Sequence, residues 1–420
     1  MRIWLITVGE PLPGLSRGAR PWRTGLLASE LARRGHQVVW WTSRFDHSGK
    51  RHFDAPAGER AASQGLSLWL LSARGYQKNI SIARLVDHFQ VGVAFRRGVR
   101  REAAPDIILC SFPTIELSLA AASFGQRRQI PVVLDVRDLW PDVFLDFAPR
   151  FLRPLARGAL APYFSAARCA LGRAAAIVAV STGYLEWGVG GARRAPTEWD
   201  RVFPLGYATQ QTRASVGRSS AKHGLAKFGA RADRVTCIFS GSFGRTYDLS
   251  PILELADSLE SEGFQFLICG EGEQGERWRR QAAGSGNVFF TGWLQRQDLE
   301  LLLQASDIGV AAYAAGAPQG IPNKVIEYLA AGLPVVSSLS GEAEDLLSAE
   351  HCGLTYDVSD PDTLRSALLR LREASERNRM ADCAARVFNE RFRAEHVYAE
   401  FADYLEQLVR RRREAGSGRD

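Results

Sequence analysis

Lysine is scarce in this chain. Of 53 Lys+Arg, the lysines are Lys50, Lys78, Lys222, Lys227 and Lys324, and every other basic position is arginine. A lysine here points to a need for a compact ammonium rather than a planar guanidinium fork. Cysteine is sparse too. Cys110, Cys169, Cys237, Cys269, Cys352 and Cys383 show no paired spacing. That pattern argues against a zinc site or a disulfide framework and suits a reducing cytoplasm. No apolar run approaches the roughly 20 residues of a spanning helix. The short run Ile3–Val8 has no small-residue cleavage site behind it. It reads as a first strand, not a secretion signal. Short internal repeats and an aspartate pair of the metal-binding kind are also missing.

What is present is a globular composition: 420 residues, 46% hydrophobic and 24% charged. That length accommodates two ordinary cores. The net charge of +7 is uneven, with 28 Lys+Arg against 16 Asp+Glu in residues 1–205 and 25 against 30 in the rest. A basic first half facing a polyanion is the expectation, and nucleic acid or an anionic membrane surface are the candidates. Two stretches of the first half mix large apolar groups with arginine. One runs through Arg84, Leu85, Phe89, Phe95–Arg97 and Arg100–Arg101, the other from Arg150 to Arg157. Basic plus apolar character on a helix favours a lipid interface over nucleic acid, although an ordinary amphipathic surface helix has the same pattern.

Short apolar runs alternate with helical periodicity along the whole chain. Strands are expected at Ile3–Val8, Gln37–Trp41, Ile107–Cys110, Val132–Asp135 and Ala176–Val180. A second set is expected at Thr236–Ser240, Gln265–Cys269, Val288–Thr291, Ile308–Ala311 and Val335–Ser337. Helices are expected between them, for example over Trp22–Arg34, Pro251–Glu262, Arg296–Ala305 and Asp362–Glu373. This alternation predicts an α/β fold with two doubly wound parallel sheets of the Rossmann type. The border falls at the Pro/Gly turn Phe203–Tyr207, giving domains 1–205 and 206–390. The polar stretch Gln210–Arg234 reads as a loop and a short helix, and the charged end from Arg410 as frayed.

The most informative segment is Gly320–Val336, a Gly/Pro turn, a short helix ending at Gly332, and a β-branched strand. Lys324 falls in the first helical turn, with Glu327 three residues on along the same face. The N–H groups of Gly320, Ile321, Pro322 and Asn323's turn (proline excepted) and the lysine attract an anion. A carboxylate one turn deeper can accept two vicinal hydroxyls. Phosphate and ribose need that spacing, while a solvated Lys–Glu pair at a helix start would look the same.

Ligands of doubly wound sheets sit beyond the C-terminal ends of strands. Gly241, Ser242 and Gly244 would let backbone approach a ligand there, with Arg245 in reach of phosphate. Gly270-Glu271-Gly272 is half a dinucleotide fingerprint, and the missing third glycine counts against an NAD site. Asp135, Arg137, Asp138 and Asp142 crowd one loop, where a carboxylate can take a proton or hold a sugar hydroxyl, or simply form an ion-paired turn. Arg17, Arg20 and Arg23 could meet a phosphate at the Trp22 helix start. His36 reads as structural, and His47 and His52 as loop residues.

Together these features resemble the GT-B glycosyltransferases, and Gly320–Val336 with Gly241, Gly270 and Thr291-Gly292 resembles the retaining members of family 4. Val8–Pro13, Arg23–Ala28, Arg34–His36, Trp40–His47 and Arg137–Asp142 are similar to a WbuB-like branch of it. That branch is associated with transfer of amino sugars such as N-acetylfucosamine in surface-polysaccharide assembly (O-antigen, capsule or exopolysaccharide). The resemblance implies a C-terminal helix, 391–420, returning towards the N-terminal domain. It implies that the C-terminal domain binds a UDP-sugar donor and the N-terminal domain a polyprenyl-diphosphate-linked glycan acceptor, with no tightly bound cofactor, metal or nucleic acid. The protein would be cytoplasmic and peripheral at the inner face of the membrane.

By the same resemblance Glu327 binds the ribose diol, and Lys324 and Arg245 the diphosphate. Glu271 and the Leu294 backbone lie near the base, and Gly9 at the sugar–acceptor junction. Asp138 stands where many relatives carry a histidine facing the donor sugar. Arg17, Arg20, Arg23 and Arg137 fall on the acceptor side. The family's Glu-x7-Glu pattern is broken at Gln319, which can still hydrogen-bond a sugar hydroxyl but carries no charge. Two other readings share the donor grip: a GT-B nucleotide-sugar epimerase and a non-catalytic nucleotide- or glycan-binding module.

Overall fold

The computed structural model describes residues 1–16, 19–79, 81–209 and 223–417. Arg17 and most of the polar stretch after Thr209 lie outside the described residues. The chain divides into two compact units, Met1–Pro204 with Val397–Asp420, and Leu205–His396.

In chain order the strands of the first unit are β1 (Arg2–Ile6), β2 (Gln37–Ser43), β3 (Phe45–Asp46), β4 (Arg51–His52), β5 (Gly58–Ser63) and β6 (Leu66–Leu71). They continue with β7 (Ile107–Phe112), β8 (Val132–Val136), β9 (Ala176–Ala179) and β10 (Arg201–Val202). Eight of them form one sheet in the order β10-β9-β8-β7-β1-β2-β6-β5, while β3 and β4 make a separate hairpin. All neighbours in the sheet run parallel except β5 beside β6. Parallel strands buried on both faces read as continuous apolar runs, which is how Val38-Val39-Trp40-Trp41 comes to be buried throughout. The antiparallel edge β5 is mostly exposed and escaped the periodicity for that reason. Trp4 and Trp41, with ring centroids 5.0 Å apart, and Trp69, 4.5 Å from Trp41, seat the helix Ile82–Gly98 through Phe95.

The second unit carries β11 (Val235–Ser240), β12 (Phe264–Cys269), β13 (Val288–Gly292), β14 (Ile308–Ala311), β15 (Val335–Ser337) and β16 (Gly353–Thr355). Their order is β13-β12-β11-β14-β15-β16 and every neighbouring pair is parallel. Apolar clusters line this sheet, one centred on Tyr328 and Leu329, the other on Phe243 and Trp278. The expected α/β fold with two Rossmann-like parallel sheets is therefore present, and all ten expected strands are found. One expectation is corrected. Arg410–Arg413 do not fray but continue the helix Ala394–Ser417, and Arg413 reaches Asp106 at 2.5 Å.

Candidate functional site

Three loops of the second unit, each following a strand, are joined through their backbones. Gly241 N–H donates to the Cys269 carbonyl, Phe243 N–H to Glu271, and Gly270 N–H to Gly292, at 2.8–2.9 Å. Phe243 is fully buried against Trp278 and pins the middle of the first loop. Glycine is obligatory at 270. Its φ is +137°, and a Cβ there would lie 1.9 Å from the Gly241 carbonyl oxygen. Gly241, Ser242, Gly244, Gly270 and Glu271 thus share one surface at the C-terminal ends of β11 and β12.

The helix Asn323–Ala330 delivers Lys324 to that surface. Tyr328, fully buried, accepts from Ser240 N–H at 3.0 Å and donates to the Val310 carbonyl at 3.2 Å, fixing the helix to the end of β11. The helix stops at Gly332, φ +65°, with Leu333 N–H returning to the Tyr328 carbonyl. Lys324 is consequently 5% exposed. Its ammonium donates to the Ser240 carbonyl, 3.4 Å from the centre of the Phe239 ring and 4.3 Å from that of Tyr247. Burial pulls its pKa well below the usual lysine value, opposed by the Glu327 carboxylate. A Cβ at Gly241 would come within 2.8 Å of this nitrogen. The glycine therefore keeps an opening above a buried cation.

The remaining donor-side candidates divide. Glu327 is half-buried one turn after Lys324, and Gln319 precedes the helix with its Oε1 buried and unpartnered among the described residues. Gly320, Ile321 and Pro322 form the turn, and Ile321 packs on the core beneath it. Leu294 packs on the same core in the loop after β13. Arg245 does not join Lys324. Its side chain is turned to solvent in an ion pair with Glu273 at 2.6 Å, from which it would have to move to grip a diphosphate. An exposed pair of this kind is worth about 0–1 kcal/mol.

In the first unit, Gly9 (φ +84°) and Glu10 follow β1, and Asp138 follows β8. Arg23 and Arg137 are not open to an acceptor, contrary to expectation. Arg23 is buried, bidentate to Asp135 at 2.9 Å and donating to the Phe203 and Pro204 carbonyls. Arg137 bridges Asp135 and Glu10, and Glu10 also accepts from the Thr24 N–H and hydroxyl. Two carboxylates and two guanidiniums thus neutralise one another inside the fold. Burial raises the Asp135 pKa, but Arg137 and Arg23 outweigh it and hold the carboxyl below its ordinary value. Sequence reasoning placed Glu10 beside Gly9 and gave it no role. Its partner is 127 residues away, so no local pattern could reveal it. Asp138 accepts from Leu139 N–H and Trp140 Nε1–H, and burial raises its pKa. Arg20 is half-buried in the loop before the first helix, and Asp142 accepts from Trp187 Nε1–H at 3.0 Å.

Histidine chemistry also collects near Gly9. His47, which lacked a partner in the sequence, meets the Tyr76 hydroxyl at 2.5 Å through Nδ1, and its Cβ lies 3.6 Å from where a Gly9 Cβ would be. His88 is buried, stacked on Trp140 at 5.6 Å, with Nδ1 unpartnered. Desolvation, then the Arg84 and His47 charges, push its pKa down to about 3. Below the ordinary histidine value of 6.5 the unfolded chain binds a proton that the folded His88 refuses. Stability from this group is complete above that value and is lost as pH falls towards 3. We expect about 2–3 kcal/mol of unfolding free energy to disappear between pH 7 and pH 4.5 through His88. Urea titrations of the parent and of His88→Asn at both pH values check this. Equal losses in the two proteins would exclude His88 as the source.

Comparison with known proteins fits this layout. Residues 23–190 match the family model described as Glycosyltransferase Family 4, and residues 234–374 that described as Glycosyl transferases group 1. The chain is of the GT-B, group 1/family 4 glycosyltransferase type. The amylovoran biosynthesis glycosyltransferase AmsK of Erwinia amylovora is 28% identical over 171 residues, 38% of this chain and 42% of that protein. The match spans less than half the length of the curated relatives. Among solved structures, sucrose-phosphate synthase of Thermosynechococcus elongatus superposes with TM-score 0.71 at 18% identity, over 97% of this chain and 98% of that one. Anabaena HepE in complex with UDP and glucose gives 0.62 at 14%, over 97% and 100%. At these identities the structural likeness establishes the GT-B fold.

Proposed function

We propose that this GT-B protein transfers a sugar, with retention of configuration, from a UDP-sugar to a lipid-linked glycan acceptor in surface-polysaccharide biosynthesis. The sugar is an N-acetylated amino sugar, by resemblance to the WbuB-like branch. The observation that carries the reading is the buried Lys324 ammonium beneath the Gly241 opening. A desolvated cation bonded to a neutral carbonyl gains from an anion in contact, and the diphosphate of a nucleotide-sugar supplies two charges of the right sign. As the bond to the sugar breaks, charge grows on the leaving diphosphate, and Lys324 stabilises the transition state more than the bound donor. Glu327, one turn deeper, accepts the ribose hydroxyls. The unpartnered Gln319 oxygen accepts a sugar hydroxyl without contributing charge. The acceptor hydroxyl attacks on the face the nucleotide leaves, and its proton passes to the donor phosphate.

Support for an anionic membrane surface comes from the first unit. Phe151 and Leu155 are 80% and 72% exposed on a segment that also carries Arg150, Arg153 and Arg157. Among the described residues no helix is long and apolar enough to cross a membrane.

Calorimetry with UDP, GDP, dTDP and NAD tests the donor assignment. UDP should bind best, and Glu327→Ala should weaken it by about 10–100-fold, the worth of a charged hydrogen-bond acceptor of about 1.5–3 kcal/mol. Equal UDP binding by parent and variant, or preference for NAD, would remove the physical basis of the proposal.

A further inference from the structure

The first unit contains a cavity of about 470 Å³ between the β3–β4 hairpin and the start of the helix Ile82–Gly98. Its lining includes Lys50, Arg51, Arg74 and Lys78 and not one carboxylate. Two of the chain's five lysines therefore line one cavity. Among the described residues none of the four cations forms a salt bridge. Lys50 donates to Asn79 Oδ1 at 2.5 Å and stands 5.0 Å from the centre of the Tyr76 ring, with Asp46 the acid that faces it electrostatically. His52, also in the lining, has a buried Nδ1 with no hydrogen-bond partner among the described residues. Four basic residues line this concave site, against Asp46 opposite Arg51 in the hairpin and Asp87 behind Gly75, and that positive excess attracts a multiply charged anion.

The surface beside the cavity narrows the ligand. Ser81 and Ala83 belong to the lining, and from Ile82 the helix carries an apolar stripe towards solvent. Ile82, Leu85, Val86 and Phe89, spaced i, i+3, i+4 and i+7, are 80%, 37%, 37% and 59% exposed. A free phosphate would satisfy the cations and leave this stripe in water. A lipid diphosphate satisfies both, its headgroup in the cavity and its first hydrocarbon units along the helix. The opposite wall leads to Gly9, which the family resemblance places at the sugar–acceptor junction. Tyr76 lines the cavity and binds His47, which lies against Gly9.

We propose that this cavity seats the diphosphate of the lipid-linked acceptor and that the Ile82–Phe89 stripe takes the adjoining lipid. The assignment rests on the glycosyltransferase reading above and specifies where its acceptor is held.

Farnesyl diphosphate and inorganic pyrophosphate serve as probes for the full chain, with UDP binding measured in parallel. Lys50→Gln/Lys78→Gln should weaken farnesyl diphosphate by 10-fold or more and weaken pyrophosphate with it. Ile82→Gln/Phe89→Gln should weaken farnesyl diphosphate by 10-fold or more and leave pyrophosphate unchanged. Both variants should bind UDP like the parent, which also reports that they are folded. The proposal is overturned if the parent fails to bind farnesyl diphosphate, or if the lysine pair is silent. It is equally overturned if pyrophosphate binds as tightly as farnesyl diphosphate and the apolar pair is silent, since the site would then take a free phosphate. Loss of UDP binding in the parent would instead refute the donor reading, independently of the cavity.

Discussion

Lys324→Met is expected to lower kcat/KM for sugar transfer by about 10²–10³-fold, the typical cost of removing one preorganised group that stabilises a leaving oxyanion. The melting midpoint should stay within about 4 °C of the parent. The reason for that asymmetry is the burial of the ammonium. Lys324 is 5% exposed, its charge is opposed by desolvation, and it donates to a neutral carbonyl at Ser240. Replacing it with an apolar side chain of similar length removes that desolvation cost while losing one hydrogen bond, and the two nearly offset. The same change should abolish the stabilisation that UDP confers in a thermal shift. Lys324→Arg is a sharper probe. The planar fork is larger than the ammonium, whose nitrogen already stands 3.4 Å from the Phe239 ring centre and 4.3 Å from that of Tyr247, so activity should fall as far as in the methionine variant. Full activity in either variant would show that the diphosphate is held elsewhere.

Asp135→Ala is expected to destabilise the first unit by about 3–5 kcal/mol. Asp135 is fully buried and accepts from both Arg23 and Arg137. Its removal leaves two guanidiniums facing each other with Glu10 as the remaining acid, an uncompensated buried charge. Denaturant unfolding should show an early transition for the first unit, with UDP binding by the second unit retained at low denaturant. A shift under about 1 kcal/mol would mean that water reaches the network and screens it.

These two residues also mark how far the sequence could be read. The placement of Lys324 and Glu327 on one face of a short helix was legible because they lie within one helical turn, between Pro322 and Gly332. Lysine was informative there because the chain uses it so rarely. The pairing of Arg245 was not legible, since its partner Glu273 sits on the loop after the next strand and neither residue signals the other. Arg23 and Arg137 were assigned to an acceptor for the same reason. Arg23 meets Asp135 across 112 residues and Arg137 meets Glu10 across 127, separations that hide such pairs, whereas the Arg137–Asp135 contact lies inside the ion-paired turn that the sequence offered. The cavity at Lys50 and Lys78 was invisible as well, because it is built from two segments, the β3–β4 hairpin and the loop from Arg74 to the start of the helix at Ile82, that meet only in the fold.

The sequence by itself determined the parallel α/β architecture of the two units and the short helix that carries Lys324. Both follow from short-range physics: strands buried on two faces must be continuously apolar, and a helix start beside lysine must attract an anion. Only the tertiary structure decided which charges are consumed inside the fold and which remain for ligands. That division depends on burial and on partners brought together from distant strands, and electrostatic energy is set by those distances and by local access to water rather than by position along the chain.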